Sequence, residues 1–564
     1  MKKILNIALV GMALVAATSC SKLGPLSADN FKVTPTPLVT NAGVVQATIN
    51  GSFPEKYMAK KAVVTVTPVL KYEGGEVEAA SQTFQGEKVL GNDQTISYKM
   101  GGNYTMRSQW KYTPEMMRSD LYLRFTAKIG NKVQEVPEVK VGYGVVSTSD
   151  LLSRTLTSAN GAVAQDAFQR VIAQKQESNI KFLINQAQLR QSELQSTNVK
   201  DFIAMLKEIN ADQERLALDG IEVSAYASPD GGYALNEKLA QNRQDATTAY
   251  LKKQMKDFGM DNQVDAKYTA EDWDGFQQLV AASNIQDKDV ILRVLSMYKD
   301  PEDREQQIHA MSSVFTELAD GILPELRRAR LTINYQVIGR DDDQIVAQYK
   351  EDPKQLSLEE LLYGANLLVE KNADREAWNN TIVSLFPNDY RAYNNLASLA
   401  YAKGDLAAMQ TALDKASKIK ADAAEVNTTR ALMALAKGDY TTAQTFIGRG
   451  TAADSYNEVL GNLNIATGNY AAAASALKGK STNSAALAQI LSKDYSSAAK
   501  TLSNIKNGDA TTDYLSAILS ARTNDAAGVA SNLAKAVAKD RTYLDRAKKD
   551  LEFASFAGAL NSLR

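Results

Sequence analysis

A short stretch near the middle of the chain concentrates side chains that could bind charged groups. Residues 221–243 contain Ser228, Asp230, Asn236 and Arg243 at close spacing. An aspartate carboxylate attracts an ammonium group, and an arginine guanidinium can hold a carboxylate with two parallel hydrogen bonds. Serine can hydrogen-bond an amine but carries no charge, so Asp230 is the candidate anion of the set. The chemistry that these residues could do is ion pairing and hydrogen bonding.

A strand, a turn and a helix are needed to position these residues. Residues 221–227 are rich in β-forming types, and the turn sequence Ser-Pro-Asp-Gly-Gly follows them. Apolar spacing then predicts a helix over 234–255, whose first N–H groups favour a nearby carboxylate. Predicted strands at 180–184, 264–268 and 331–338 alternate with helices. This alternation indicates a layered α/β or α+β domain, with a helical insert over about 273–326.

Composition excludes several classes of function. The chain has 564 residues, one cysteine, one histidine and a net charge of −1. Its length predicts three or four domains. A single cysteine and a single histidine argue against a zinc site and against Cys-His or Ser-His-Asp catalysis. We therefore expect no catalytic residues, no metal, no cofactor and no enzyme activity, and the weak net charge predicts no nucleic-acid partner. Carboxylate-only chemistry, as in glycosidases, is the alternative, but no acidic pair has the sequence context of such a site.

The N-terminus has the pattern of an export signal. Lys2 and Lys3 precede an apolar run over 4–17, which is too short to span a membrane, and Cys20 follows. Residues 15–20 (VAATSC) resemble a bacterial lipobox, with alanine where leucine is usual. That resemblance implies a signal peptide over 1–19 and a lipidated Cys20. Ser21 and the lack of an acidic run after Cys20 favour the outer membrane with a periplasm-facing chain, and exposure at the cell surface is the alternative.

The N-terminal third has a strand pattern. Apolar and polar residues alternate from 31 to 147, and glycine- and asparagine-rich turns separate the runs. About seven short strands at this spacing predict an all-β sandwich.

The C-terminal third is helical and repetitive. The sequence AKGD at 402–405 recurs as AKGDY at 436–440 and as ATGNY at 466–470, and each copy marks a turn between two helices. This periodicity resembles that of tetratricopeptide repeats. The resemblance implies an all-α solenoid that binds an envelope protein, which the sequence leaves unidentified.

Residues 221–243 also resemble the core of the OmpA-like domain. The family pattern maps without a gap onto Ala225, Ala227, Ser228, Gly231, Asn236, Leu239 and Arg243. Residues 180–189 look like the family's first strand, and the arginine-rich residues 326–333 look like its last. The resemblance implies that a carboxylate and Arg243 clamp diaminopimelate in the peptide stem of peptidoglycan, while Asn236 supports the turn. Ser228 replaces the family's aspartate, so Asp230 must supply the carboxylate, or the fold persists as a scaffold with an empty pocket.

The sequence therefore predicts a multidomain, non-enzymatic cell-envelope lipoprotein that links the outer membrane to peptidoglycan. The alternative is an assembly scaffold or adhesin-type lipoprotein whose OmpA-like domain no longer binds peptidoglycan. The predicted segments are a signal peptide (1–19), a lipidated tether (20–30), a β-sandwich (31–147), a connector (148–177), an OmpA-like domain (178–340), a linker (341–355) and TPR-like helical repeats (356–564).

Overall fold

The computed structural model describes residues 23, 25–285, 287–310 and 312–563, so the signal peptide and Cys20 lie outside the described residues. The chain forms two compact units. The first unit combines the residues up to Gln165 with those from Ala365 onward, and the second is Asp166–Gly364. The β region and the helical repeats, which the sequence presents as separate domains, thus belong to one unit, and the second unit is inserted between them.

Among its described residues, the first unit has ten strands before its helical region. They are β1 (Phe31–Thr34), β2 (Leu38–Asn41), β3 (Val44–Phe53), β4 (Ala62–Tyr72), β5 (Gly75–Glu78), β6 (Gln82–Gly86), β7 (Gln94–Ile96), β8 (Gly102–Lys111), β9 (Ser119–Ile129) and β10 (Lys132–Val146). A helical segment follows, made of a 3-10 turn (Thr148–Leu151), helix α1 (Leu152–Thr155) and a second 3-10 turn (Leu156–Ser158).

These strands form one continuous sheet rather than the two separate sheets of a sandwich. Their order is β1-β3-β2-β10-β9-β4-β6-β7, with β5 on β4 and β8 on β3. Strand β2 makes the sheet continuous because it pairs with β3 on one side and with β10 on the other. The two halves share a core, in which the rings of Phe53 and Phe84 lie 5.2 Å apart. The region has ten strands where the sequence predicts about seven, and one of the additional strands arises because Pro35 and Pro37 separate β1 from β2.

The second unit has a four-stranded sheet and three helices before its insert. The elements are β11 (Val171–Lys181), α2 (Gln191–Leu194), α3 (Thr197–Ala211), β12 (Leu216–Tyr226), α4 (Tyr233–Asp257), β13 (Val264–Thr269) and β14 (Arg328–Ile338). The sheet order is β11-β14-β12-β13. Its core includes Phe202 of α3, Val223 of β12, Leu251 of α4 and Leu331 of β14. The mixed layered α/β architecture agrees with the sequence pattern.

The first strand of this unit lies earlier than the sequence predicts. Strand β11 begins at Val171, inside the segment expected to be a connector, and it pairs with β14 along its whole length. Its first half is exposed and shows no apolar alternation, so the pattern did not reveal it. The predicted strand at 180–184 is wrong beyond Lys181, because Leu183 and Ile184 are about half exposed in a loop.

The predicted helical insert is present between β13 and β14. It contains α5 (Trp273–Ala282), α6 (Lys288–Met297), α7 (Pro301–Ala310), α8 (Ser312–Gly321) and α9 (Leu323–Leu326). These helices share a small core of their own, which includes Phe276, Ile291 and Leu318. The insert is therefore a packed subdomain rather than a loop.

Residues 341–355 are mostly helical, which corrects their interpretation as a linker. Helix α10 (Asp342–Glu351) fills most of the segment, and α11 (Leu358–Tyr363) follows. Asp341 caps α10, because its side chain accepts a hydrogen bond from the N–H of Gln344 at 2.8 Å. The acidic run thus provides a cap and first-turn acids, which helix N-termini favour. Ile345 on the same helix is fully buried.

The rest of the first unit is helical. Its helices are α12 (Asn372–Leu385), α13 (Tyr390–Ala402), α14 (Leu406–Ile419), α15 (Ala424–Ala436), α16 (Tyr440–Ile447), α17 (Tyr456–Ala466), α18 (Tyr470–Ala476), α19 (Asn483–Leu491), α20 (Tyr495–Asn504), α21 (Ala510–Arg522), α22 (Ala526–Lys539), α23 (Thr542–Lys549) and α24 (Ala557–Ser562). In the described part of the chain, no helix combines the length and the apolar character that a membrane crossing requires.

Successive helices form hairpins, as the repeated turn sequences predict. Gly404, Gly438 and Gly468 adopt left-handed backbone conformations with φ between 74° and 80°, which glycine accepts without strain. The next residue then starts the second helix, where Asp405 and Asp439 cap α14 and α16 with their side chains. The C-terminal region is therefore a helical solenoid built from a repeated local signal.

Candidate functional site

One edge of the sheet in the second unit gathers the residues that the sequence analysis singled out. Strands β11 and β12 both run antiparallel to β14, and β13 runs parallel to β12. The C-terminal ends of β11, β12 and β13 therefore meet at one edge, where β14 begins. Ligands of open α/β sheets bind at such an edge.

The turn after β12 carries Ser228 and Asp230. The hydroxyl of Ser228 donates a hydrogen bond to the carboxylate of Asp230, and the Asp230 N–H donates to the Ser228 carbonyl at 2.9 Å. Ser228 is almost fully buried, and the Asp230 side chain is 12% exposed. Ser228 thus orients the carboxylate of Asp230, two residues later in the same turn.

Arg327 completes this group, although the sequence analysis assigned it only to the closing strand. Its Nη2 donates to Asp230 at 2.8 Å, and its Nε donates to the Ser228 hydroxyl at 3.2 Å. The residue lies directly before β14, and the antiparallel pairing with β12 brings it beside the turn. Knowledge that β12 pairs with β14 would have placed Arg327 beside the turn, but the local sequence does not show this pairing.

Asn236 and the start of helix α4 shape the other side of the turn. The Asn236 side-chain amide donates to the carbonyl of Gly231 at 2.6 Å, and the residue is buried. Gly232 precedes the helix, and no side chain caps it. The first N–H groups of α4 thus lack a side-chain cap, and their partial positive charge suits an anion.

Arg243 lies beneath the turn rather than on its surface. It is 1% exposed, and its guanidinium donates to the backbone carbonyls of Gln186 at 3.0 Å, Tyr226 at 2.9 Å and Leu183 at 3.4 Å. Burial lowers the pKa of Arg243 to about 10, and the positive charge of nearby Arg327 acts in the same direction. The structure therefore places Arg243 as a brace between the loop after β11 and the end of β12.

A second acid–arginine pair lies next along this edge. Arg328 approaches Asp272 with an N···O distance of 2.9 Å, and both side chains are largely buried. Asp272 also caps helix α5 by accepting from the Gly275 N–H at 2.9 Å. The Arg328 guanidinium lies 4.6 Å from the centre of the Tyr226 ring. The charged side chains at this edge thus form neutral acid–arginine pairs rather than a patch of one charge.

Apolar side chains surround the turn on two segments. Leu183 and Ile184 are exposed on the loop that Arg243 braces, and Tyr233 and Leu235 are exposed on the first turn of α4. Each of the four is between 46% and 56% exposed. The arrangement combines a central ion pair with flanking apolar surface, which suits a ligand with charged groups on an aliphatic stem.

Within the described residues, no group of three or more His, Cys, Asp or Glu side chains is arranged to hold a metal ion. The predicted lipidation residue, Cys20, lies outside those residues.

Comparisons with known proteins give little further information. No protein-family model and no curated protein matches the chain. Among solved structures, a tetratricopeptide repeat protein from Parabacteroides merdae is 12% identical and aligns over 39% of this chain and 90% of its own, with a TM-score of 0.27. The APC/C hetero-tetramer Cut9–Hcn1 is 13% identical over 64% of this chain and 82% of its own, with a TM-score of 0.28. Similarity at these scores supports no conclusion about function.

Proposed function

We propose that the second unit is an OmpA-like module that binds the peptide stem of peptidoglycan and that the chain is a non-enzymatic outer-membrane lipoprotein. The observation that carries this proposal is the ion pair between Asp230 and Arg327 at the sheet edge. Its two charges face each other at 2.8 Å and have the polarity that a ligand with an ammonium and a carboxylate group requires.

Binding would exchange one ion pair for two. The ligand ammonium would take the place of Arg327 on Asp230, and the ligand carboxylate would take the place of Asp230 on Arg327. Both protein charges would stay matched throughout, which avoids the large cost of leaving a buried charge alone. In this proposal Arg327 holds the carboxylate, Ser228 orients Asp230, and Arg243 and Asn236 position the loops.

A pull-down on purified peptidoglycan tests the module. We expect wild type to sediment with peptidoglycan and Asp230→Asn and Arg327→Gln to remain in the supernatant. Lys175→Gln is the matched control, because Lys175 forms an exposed ion pair with Glu177 on β11, away from the C-terminal end of that strand. Circular dichroism would show that each variant is folded. Wild type in the supernatant would refute wall binding. Sedimentation of Asp230→Asn and Arg327→Gln like wild type would refute the Asp230–Arg327 pair as its site.

The anchor has a separate test. Lipidation of Cys20 would place the chain on the outer membrane, and more than one acyl chain is needed for stable attachment. We expect labelled palmitate to enter the wild type and not Cys20→Ala, and we expect the variant to leave the membrane fraction.

Protease treatment of intact cells then tests which side of the outer membrane the chain faces, because a periplasm-facing protein is protected.

The mutual neutralisation of Asp230 and Arg327 also favours a second function. Asp230 and Arg327 neutralise each other, their side chains are 12% and 11% exposed, and Arg243 is bonded to carbonyls. A site closed in this way also suits a scaffold whose TPR-like repeats assemble an envelope complex without wall binding. Crosslinking of intact cells followed by mass spectrometry separates the two functions. One dominant protein partner without muropeptide would favour the scaffold.

A further inference from the structure

The solenoid of the first unit already holds an extended peptide, and the peptide is part of its own chain. After the 3-10 turn at Leu156–Ser158, residues 159–165 (ANGAVAQ) continue without helix or strand. We call this segment the strap. Its neighbours are the first helices of three successive hairpins, α13, α15 and α17, which form one face of the solenoid.

The solenoid binds the strap through its backbone. Side chains of these helices, together with Asn366 and Asp454 beside them, donate to strap carbonyls or accept from strap N–H groups at residues 160 and 162–164. The bonds to strap carbonyls run from Asn394 to Ala162 (2.7 Å), Ser398 to Ala162 (2.8 Å), Asn395 to Ala164 (3.2 Å) and Asn366 to Ala164 (3.3 Å). The bonds from strap N–H groups run from Ala164 to Asn395 (2.7 Å), Ala162 to Thr429 (3.1 Å), Asn160 to Glu458 (3.1 Å) and Val163 to Asp454 (3.3 Å).

The strap residues that face the groove have small side chains or none. Ala162 and Ala164 are fully buried, and Gly161 lies directly on Ser398 of α13. A Cβ atom added to Gly161 would stand 2.4 Å from the Ser398 Oγ and 2.9 Å from its Cβ, which is closer than real contacts allow. The groove therefore binds an extended backbone. It requires glycine at the position of Gly161 and alanine-sized residues at the positions of Ala162 and Ala164.

The strap has two advantages at the groove, its hydrogen bonds and its covalent connection, but little apolar burial. It buries only glycine and alanine side chains, which contribute little hydrophobic free energy compared with a buried leucine or phenylalanine. Because it is tethered at both ends, its effective concentration at the groove is on the order of millimolar. The polar side chains of the groove, in contrast, include buried Asn394, Asn395 and Thr429, and they are costly to leave without partners.

We propose that the groove of α13, α15 and α17 is a peptide-binding site, that the strap is its intramolecular ligand, and that an extended segment of a partner protein replaces the strap. The partner segment carries glycine at the position of Gly161 and alanine-sized residues at the positions of Ala162 and Ala164. This inference does not depend on peptidoglycan binding by the second unit.

The test uses the full chain and a fluorescent peptide with the sequence of residues 157–166, followed by fluorescence anisotropy. Gly161→Leu should displace the strap by steric conflict with Ser398, and we expect this variant to bind the peptide roughly tenfold or more tightly than wild type. The matched control is the same peptide with leucine at the Gly161 position, which should bind neither protein. A folded Gly161→Leu variant that ignores the peptide, or equal binding of both peptides, would overturn the proposal.

A second protein covers the case in which Gly161→Leu does not fold. A cleavage site for a sequence-specific protease is inserted between Gln165 and Asp166 in an otherwise wild-type chain. Cleavage frees one end of the strap and removes part of its advantage in effective concentration. We expect peptide binding to rise after cleavage. Unchanged binding before and after cleavage would mean that the strap is a fixed structural segment, and the proposal would be wrong.

Discussion

The Nη1 of Arg243 lies 2.9 Å from the backbone carbonyl oxygen of Tyr226, and this hydrogen bond ties helix α4 to the end of strand β12. Two further carbonyls, those of Gln186 and Leu183, receive the remaining bonds of the guanidinium. A residue that resembles a ligand-binding arginine in sequence is therefore the brace of the site. Arg327, in contrast, has its charge at the turn itself.

Replacing Arg243 should destabilise the second unit before it affects any ligand. We expect Arg243→Ala to lower the free energy of unfolding by about 3 kcal/mol, because loss of this buried side chain opens a cavity and three backbone carbonyls lose their hydrogen-bond donor. Urea denaturation of the full chain, followed by a probe in the second unit, measures the loss. Lys253→Ala on the exposed face of α4 is the control and should change stability by no more than about 0.5 kcal/mol. An Arg243→Ala variant with unchanged stability and lost peptidoglycan binding would instead assign Arg243 a direct contact with the ligand.

Two cations of helix α23 should differ sharply in their contribution to the first unit. Arg546 is largely buried, where it pairs with Asp150 at 3.0 Å and donates to the Ser147 carbonyl at 3.2 Å. Lys549 approaches Glu73 at 3.7 Å, and both of those side chains are well exposed. Removal of a buried partner leaves an uncompensated charge, so Arg546→Ala should cost about 3 kcal/mol, whereas Lys549→Ala should cost less than about 1 kcal/mol. Chemical denaturation gives both values, and equal losses would contradict the argument.

The helix caps of the solenoid predict that one substitution lowers its stability slightly and that another raises it slightly. Asp439 caps α16 by accepting from the Thr442 N–H at 3.0 Å, so Asp439→Ala should cost about 1 kcal/mol. Asn469 occupies the same place before α18 but makes no capping hydrogen bond. We expect Asn469→Asp to raise the melting temperature slightly, because a carboxylate at this position both caps the helix and faces its positive end. A fall in melting temperature for Asn469→Asp would show that the turn there excludes a cap.

Glu458 should make the stability of the first unit depend on pH. Burial raises the pKa of Glu458 above its ordinary value of 4.5, and the Asn160 N–H and Lys480 partly oppose that rise, while Asp454 adds to it. The folded state therefore binds more protons than the unfolded state above pH 4.5, and this group costs stability as the pH rises through its folded pKa. Glutamine has no charge to bury and can still accept from Asn160. The melting temperature of Glu458→Gln minus that of wild type should increase between pH 4 and pH 7, with the pH dependence expected for one carboxyl group whose pKa is raised by folding.

The control for this pH series is Glu370→Gln, a substitution at an exposed glutamate of the same unit. Its difference from wild type should stay flat across the same range. A flat difference for Glu458→Gln as well would show that Glu458 is not desolvated in solution.

Local signals in the sequence predict the helical solenoid well. The glycines at 404, 438 and 468 and the capping aspartates after them act within a few residues, so their effect is visible without the fold. The alanines that follow, such as Ala443 and Ala473, are fully buried where paired helices approach. Strand, turn and helix around residues 221–243 are visible for the same reason.

The remaining features depend on contacts between distant parts of the chain. The strap bonds to Asn395 across 231 residues, and nothing in the sequence ANGAVAQ indicates a bound peptide. Arg327 meets Asp230 across 97 residues because β14 pairs with β12. Strand β11 is fixed by its pairing with β14, since its exposed first half has no apolar pattern. The residues of the turn could therefore be singled out from the sequence, but the contact of Asp230 with Arg327 rather than with Arg243 could not.

The insertion of the second unit between Gln165 and Ala365 imposes an order on synthesis. The strap emerges first, and all of residues 166–364 must follow before the helices that hold it exist. Domains generally fold as units from the N-terminal side, so the inserted unit can close its core while the earlier β-sheet still lacks the solenoid. A chain that stops before α17 therefore leaves the Asn160 N–H of the strap without its glutamate partner, so a segment made before the inserted unit gains its last hydrogen bond only after that unit has been made.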